Sequence, residues 1–197
     1  AIDAEWDRLR KIKVPSTGKP GTWDESAVRE WRDVQMEARR KNTKIHILRL
    51  CTLCHQKGSE LADDDPNKKY KGRVVVLGNR IVDEYGAAAM FSELSSSPAS
   101  MPAGKLCDMW GCQPGFIIQQ SDATSAYTQS ELTGKPTWVR LPRENWPKEW
   151  ANKYTDPVVP LKLALYGHPD AGGYWERHCE KQLLAIGFKK IPDWDSC

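Results

Sequence analysis

The stretch Phe116-Ile-Ile-Gln-Gln-Ser-Asp122-Ala-Thr-Ser-Ala126-Tyr127 decides how the rest of the chain is read. Its first three residues are apolar, two of them β-branched, and an acid follows at Asp122, so the run predicts a buried strand with a carboxylate at its end. Such a carboxylate sits on a rigid element and is available to a hard cation through its own oxygens, with the Ala123 carbonyl beside it as a further ligand. The local sequence fits a helix cap equally well, with Asp122 accepting from the first turn of a following helix.

Outward from this stretch the elements are mixed. Ile2, Trp6, Leu9 and Ile12 recur at helical spacing. Pro15 to Gly21 breaks the chain. Thr22-Trp-Asp-Glu25 has capping-box form, and Ala27, Trp31, Val34 and Ala38 then mark one face of a helix ending near Lys41. Ile45–Leu53 and Arg73–Leu77 predict strands, with a polar loop from Gly58 to Lys71 between them. Ser95-Ser-Ser-Pro98 ends that region. Met101, Leu106, Met109 and Trp110 predict a helix stopping before Pro114-Gly115. Thr137–Leu141 and Val158–Leu165 predict two further strands, with a helical turn at Trp146–Trp150. Trp175, Cys179, Leu183 and Ile186 line a last helix closing at Gly187. Helices and strands do not alternate strictly, so the fold class is α+β.

Composition bounds the rest. The 197 residues suffice for one domain, or one domain with a smaller lobe, and a real core. Nine tryptophans spread from Trp6 to Trp194 argue against a disordered chain. No apolar run approaches the ~20 residues of a membrane helix, and an intracellular setting, cytoplasm or nucleus, is expected. A net charge of +3 implies no polyanion partner, but its distribution is uneven. From Asn67 to Arg80 there are five basic residues (Lys68, Lys69, Lys71, Arg73, Arg80) and no acidic ones; from Arg29 to Arg49, seven against three. These runs read either as solvated surface or as phosphate-facing surface. Six cysteines without a secretory signal suggest reduced thiols. Cys51-Thr-Leu-Cys54-His55 matches a haem-attachment pattern and half of a zinc site, but it lies in an apolar alternating stretch without a second pair at finger spacing. The four histidines (46, 55, 168, 178) show no nucleophile-and-base arrangement, which leaves a hydrolase nothing to stand on.

Four segments, in order, carry a resemblance. They are Gly21-Thr-Trp23; Lys71-Gly-Arg73-Val-Val-Val-Leu-Gly78; Gln119-Gln-Ser-Asp122-Ala-Thr-Ser-Ala126-Tyr127; and Leu163-Ala-Leu-Tyr166-Gly167 with Trp175 and Gly187-Phe188 beyond it. Together they resemble the reverse transcriptase domain of copia-type retrotransposons, part of a Pol polyprotein. The resemblance implies a right-hand polymerase: a single truncated domain over 1–197, with fingers roughly 23–95 and 133–160 and palm roughly 96–132 and 161–197, its antiparallel palm sheet incomplete. It implies an RNA-directed DNA polymerase working by two-metal nucleotidyl transfer with Mg²⁺, a primed RNA or DNA template and deoxynucleoside triphosphates.

By the same resemblance Asp122 is the first catalytic carboxylate and, with Ala123, a metal ligand. Arg73 and Lys71, and less securely Lys68 or Lys69, reach the incoming triphosphate. Ala126 and Tyr127 lie at the sugar, where the ring rejects a 2′-hydroxyl. Gly167 lets nucleotide and template approach the backbone. Core packing for Tyr127, solvated surface for the lysines and a plain turn for Gly167 are the residue-level alternatives. Two departures stand out. His168-Pro-Asp170 replaces the family's Leu-Lys-Gln, and no Tyr-x-Asp-Asp follows Gly167. The chain is therefore expected not to polymerise alone, with the rest of the Pol polyprotein supplying the missing hairpin. A non-catalytic nucleic-acid-binding remnant is the alternative, and a small Cys-x-x-Cys-His metal or haem protein a third.

Overall fold

The computed structural model describes residues 1–91, 98–192, 194 and 196. It is an α+β arrangement: helices α1 (Ile2–Lys11), α2 (Trp31–Arg40), α3 (Met101–Gly111) and α4 (Ala171–Ala185), and strands β1 (Arg29–Glu30), β2 (His46–Lys57), β3 (Lys69–Val76), β4 (Thr137–Arg140) and β5 (Pro157–Pro160). The strands form one mixed sheet in the order β1-β5-β4-β2-β3, with β2 and β4 parallel and the other neighbours antiparallel.

Register explains where the core sits. Leu48 stands opposite Val139 and Val139 opposite Val159, so three fully buried side chains lie in a row across the central strands. Successive strand residues point to opposite faces. On the Leu48 face lie Trp6 and Leu9 of α1 together with Trp23 and Trp150; on the other, Ile47 and Val158 meet Val34 and Ala38 of α2. The sheet is thus packed on both sides. α1 reaches it closely: a Cβ on Gly72 of β3 would lie 2.8 Å from the Ala1 carbonyl oxygen and 2.9 Å from the Ile2 Cα. Trp6 meets Trp23 edge to face at 5.4 Å, and its indole N–H donates to the Thr52 hydroxyl at 3.3 Å. Asp3 and Glu5 in the first turn of α1 and Arg8, Arg10 and Lys11 in the last complement its dipole.

The structure departs from the sequence reading in four places. The helix expected from Thr22 to Lys41 begins only at Trp31, after a short 3₁₀ turn at Glu25–Ala27. Thr22 caps nothing; it is fully buried and its hydroxyl donates to the Leu9 carbonyl at 2.9 Å. Glu25 instead accepts from the Trp23 indole (2.9 Å) and the Arg10 Nε (2.8 Å). Second, Phe116–Asp122 is not a buried strand. The segment has no regular structure, and Phe116, Ile117 and Ile118 are 50%, 85% and 51% exposed. A β-prone run becomes a strand only where a neighbour offers ladder partners, and this run pairs with none of the five strands. Third, Val158–Leu165 is a ladder only as far as Pro160; Leu161 and Leu163 continue as single bridges to Trp23 and Glu131, although both are buried. Fourth, α3 and the far half of α4 form as expected but leave Met101, Met109, Trp110, Leu183 and Ile186 exposed. The break expected at Ser95–Pro98 falls, apart from Pro98, outside the described residues. Among the described residues no helix is long and apolar enough to cross a membrane.

Candidate functional site

β3 brings Lys71 and Arg73 to one face by strand alternation, while Val74 and Val76 turn into the core. At the end of β3 the chain meets the Tyr166-Gly167 turn: the Val76 N–H donates to the Tyr166 carbonyl at 2.7 Å. Gly167 adopts φ +85°, and a Cβ there would lie 2.2 Å from the Val76 carbonyl oxygen, so only glycine fits this contact. The Arg73 guanidinium lies over the Tyr166 ring, 5.7 Å from its centroid.

Tyr127 approaches the same ring from another direction. It sits on a short 3₁₀ turn, Ala126–Gln129, and meets Tyr166 at 4.6 Å and 68°. The residue before the turn, Ser125, is left-handed at φ 56°, ψ 42°. Its hydroxyl accepts from Arg8 Nη1 at 2.8 Å, and Arg8 in turn holds both Glu5 carboxylate oxygens at 2.7 Å. The hydrogen bond to Glu5, with a smaller contribution from Tyr166, raises the Arg8 guanidinium above its ordinary pKa.

Arg73, Tyr127 and Gly167, with Ala126 beside Tyr127, therefore meet around Tyr166, although 53 or more positions separate Arg73 from the other three. Lys71 lies two residues along the same strand, exposed. The two other lysines diverge. Lys69 is exposed, whereas Lys68 turns back into its own loop, donating to the Leu61 carbonyl at 3.2 Å and pairing with Asp63. That partnership holds Lys68 within its own loop.

Asp122 and Ala123 are exposed on the irregular segment that leads to Ser125. Among the described residues no three His, Cys, Asp or Glu side chains are grouped to hold a metal ion. One exposed carboxylate outside any such group does not make a two-Mg²⁺ site. Asp122 is no helix cap either; the N-cap position of the following turn belongs to Ser125. The Cys51-x-x-Cys54-His55 string runs along β2, paired through to Lys57. Residues three apart on a strand point to opposite faces, so Cys51 and Cys54 cannot close on one zinc.

Arg8, Ser125 and the His46–His168 pair escaped the sequence reading. Arg8 belongs to no motif, and nothing in α1 signals that it reaches a residue 117 positions away. His46 and His168 lie on either side of Phe91, at 4.7 and 5.5 Å. They line a cavity of about 330 Å³ together with Lys135, Asp170 and Tyr174. Burial, and secondly His46, pushes the His168 imidazole down to about 4. Its Nδ1 accepts from the Asp170 backbone N–H at 3.2 Å, which places the remaining proton on a buried Nε2 that has no partner among the described residues. Burial also lowers His46, helped by nearby Lys135 and opposed by Glu84 and Asp83.

No protein-family model, no curated protein and no solved structure matches the chain.

Proposed function

We propose that the chain is the fingers and part of the palm of a copia-type RNA-directed DNA polymerase, and that its own residues form the side of the site that receives a deoxynucleoside triphosphate. One observation carries this reading: the strand, the aspartate motif and the Tyr-Gly motif converge, with Arg73 and Tyr127 both on the Tyr166 ring. Arg73 presents a forked cation to phosphate oxygens, with Lys71 beside it as a second charge. Tyr127 and Tyr166 present an aromatic surface to the sugar, and Gly167, packed on the Val76 backbone, fixes the turn that carries Tyr166.

Mg²⁺ would supply charge neutralisation of the triphosphate and of the transition state. Among the described residues the donors do not assemble a two-ion site, so the part assigned to these residues is binding and orientation. In the parent enzyme a further carboxylate pair would complete the chemistry. The exposed apolar side chains of Phe116–Ile118 and of the far half of α4 would then be covered by the rest of the palm. A template with its primer would follow the Lys71–Arg73 face, with binding that weakens as salt rises. The binding-only remnant keeps the same surface, and the placement of Cys51 and Cys54 on opposite faces of β2 favours it over the metal or haem reading.

The test is calorimetric titration of the chain with dATP and Mg²⁺. Millimolar or tighter binding is expected, with Arg73→Ala weakening it roughly tenfold or more, the scale of a lost hydrogen bond to a charged partner. A chain that ignores dATP, or an Arg73→Ala variant that binds as well as the parent, sinks the reading.

A further inference from the structure

We propose that Arg8 is a positioning residue for this site: it holds Ser125 in its left-handed conformation and so sets how Tyr127 meets Tyr166. The proposal rests on the nucleotide reading above, with Tyr127 facing the sugar. It makes α1, a helix that carries none of the four motifs, part of what decides which sugar is accepted.

The geometry is a short chain of dependence. A left-handed conformation is strained for any residue with a Cβ, and serine adopts it only where the surroundings enforce it. At Ser125 two contacts do so. The hydroxyl is held by Arg8 from outside, and the carbonyl accepts both the Thr128 N–H (3.1 Å) and the Thr128 hydroxyl (2.9 Å) from inside the turn. The Ser130 N–H then closes on the Tyr127 carbonyl at 3.0 Å. Arg8 is itself immobilised, because its bidentate pairing to Glu5 fixes the guanidinium plane. Its helix is anchored in turn by buried Trp6 and Leu9. A lysine at position 8 has a single ammonium and no fork, and cannot hold the carboxylate and the hydroxyl in one plane.

The experiment compares the full chain with Arg8→Gln, Arg8→Lys and Ser125→Ala, each alone, and with the Arg8→Gln/Ser125→Ala pair. Amide hydrogen exchange reads the turn at Thr128 and Ser130, with the β2 amides as the reference. Titrations with dATP and with ATP, both with Mg²⁺, read the sugar preference. Expected is exchange roughly tenfold or more faster at Thr128 and Ser130 in Arg8→Gln with β2 unchanged. Arg8→Lys should fall between parent and Arg8→Gln, and the double variant should be no worse than the worse single one. The preference for dATP over ATP should drop alongside. Unchanged exchange in the turn overturns the proposal. So does faster exchange everywhere, which would make Arg8 a general stabiliser, or a loosened turn with sugar preference intact. A parent chain that binds neither nucleotide overturns the nucleotide reading instead, and the exchange data still decide whether Arg8 holds the turn.

Discussion

Gly78 and Gly167 meet backbone to backbone: a Cβ placed on Gly78 would lie 2.4 Å from the Gly167 carbonyl oxygen. Gly167 presses in turn on Val76, so the turn carrying Tyr166 is clamped between the end of β3 and the residues just after it. Two glycines nearly ninety positions apart thereby fix where the Tyr166 ring stands relative to Arg73.

Gly167→Ala should consequently cost stability and misplace the ring. The left-handed conformation and the overlap with the Val76 carbonyl both count, on the order of 2–3 kcal/mol together. Urea denaturation of the two proteins gives the difference directly. A midpoint within error of the parent would mean that the turn relaxes freely and does not clamp Tyr166.

Acid should loosen the fold through its buried histidines. The His168 imidazole has a folded-state pKa pushed down to about 4 by burial, against an ordinary value of 6.5, and His46 is shifted in the same direction. The unfolded chain therefore takes up protons that the folded one refuses. Stability is fully present above about pH 6.5, falls as pH drops toward 4, and loses on the order of 3 kcal/mol from His168 over that window. His168→Phe should flatten this slope, although it also gives up the Asp170 N–H contact and lowers stability at pH 7. Thermal melts at pH 7, 6 and 5 on both proteins check it; equal slopes would show that the His168 site admits water and a proton freely.

Ile117 is 85% exposed between two half-exposed apolar neighbours. Contiguous exposed apolar surface of this kind binds hydrophobic dyes and promotes association. Ile117→Lys should lower dye fluorescence and slow aggregation on warming while leaving the urea midpoint within about 0.5 kcal/mol, since nothing buried is disturbed. A clear loss of stability would mean that Ile117 packs in solution.

Much of the sheet was legible because its strands carry their own signal. Ile45–Leu53 and Arg73–Leu77 are β-branched and apolar, and β2 and β3 cover both except for Ile45 and Leu77, extended by four and started four residues earlier because a long hairpin lets polar residues pair once the register is set. Phe116–Ile118 carries a similar signal and forms no strand, since propensity supplies no partner. Thr22-Trp-Asp-Glu25 matches a capping box, but burying Thr22 under α1 and linking Glu25 to Trp23 and Arg10 are long-range events that a four-residue pattern does not contain. The same holds for the site. Arg73, Tyr127 and Gly167 lie in recognisable motifs. Arg8 and Ser125 become visible only once α1 is laid across the sheet.

Asp122 decides between an enzyme fragment and a binding remnant. Its carboxylate is exposed and belongs to no group of three metal-ligating side chains among the described residues, so Asp122→Asn removes a charge without disturbing packing, and the melting temperature should stay within a degree or two of the parent. If Asp122 still contributes one ligand to a nucleotide-borne Mg²⁺, the asparagine variant should bind dATP with Mg²⁺ roughly three- to tenfold more weakly, because an amide oxygen is a poorer ligand for a hard cation than a carboxylate. Without Mg²⁺ the order should reverse or vanish, since the lost negative charge no longer repels the triphosphate. Titrating parent and variant with dATP at matched ionic strength, with Mg²⁺ and with a chelator, separates the cases. Equal affinities under both conditions would remove Asp122 from the site and leave a chain that holds nucleotides through Arg73 and the tyrosine pair alone.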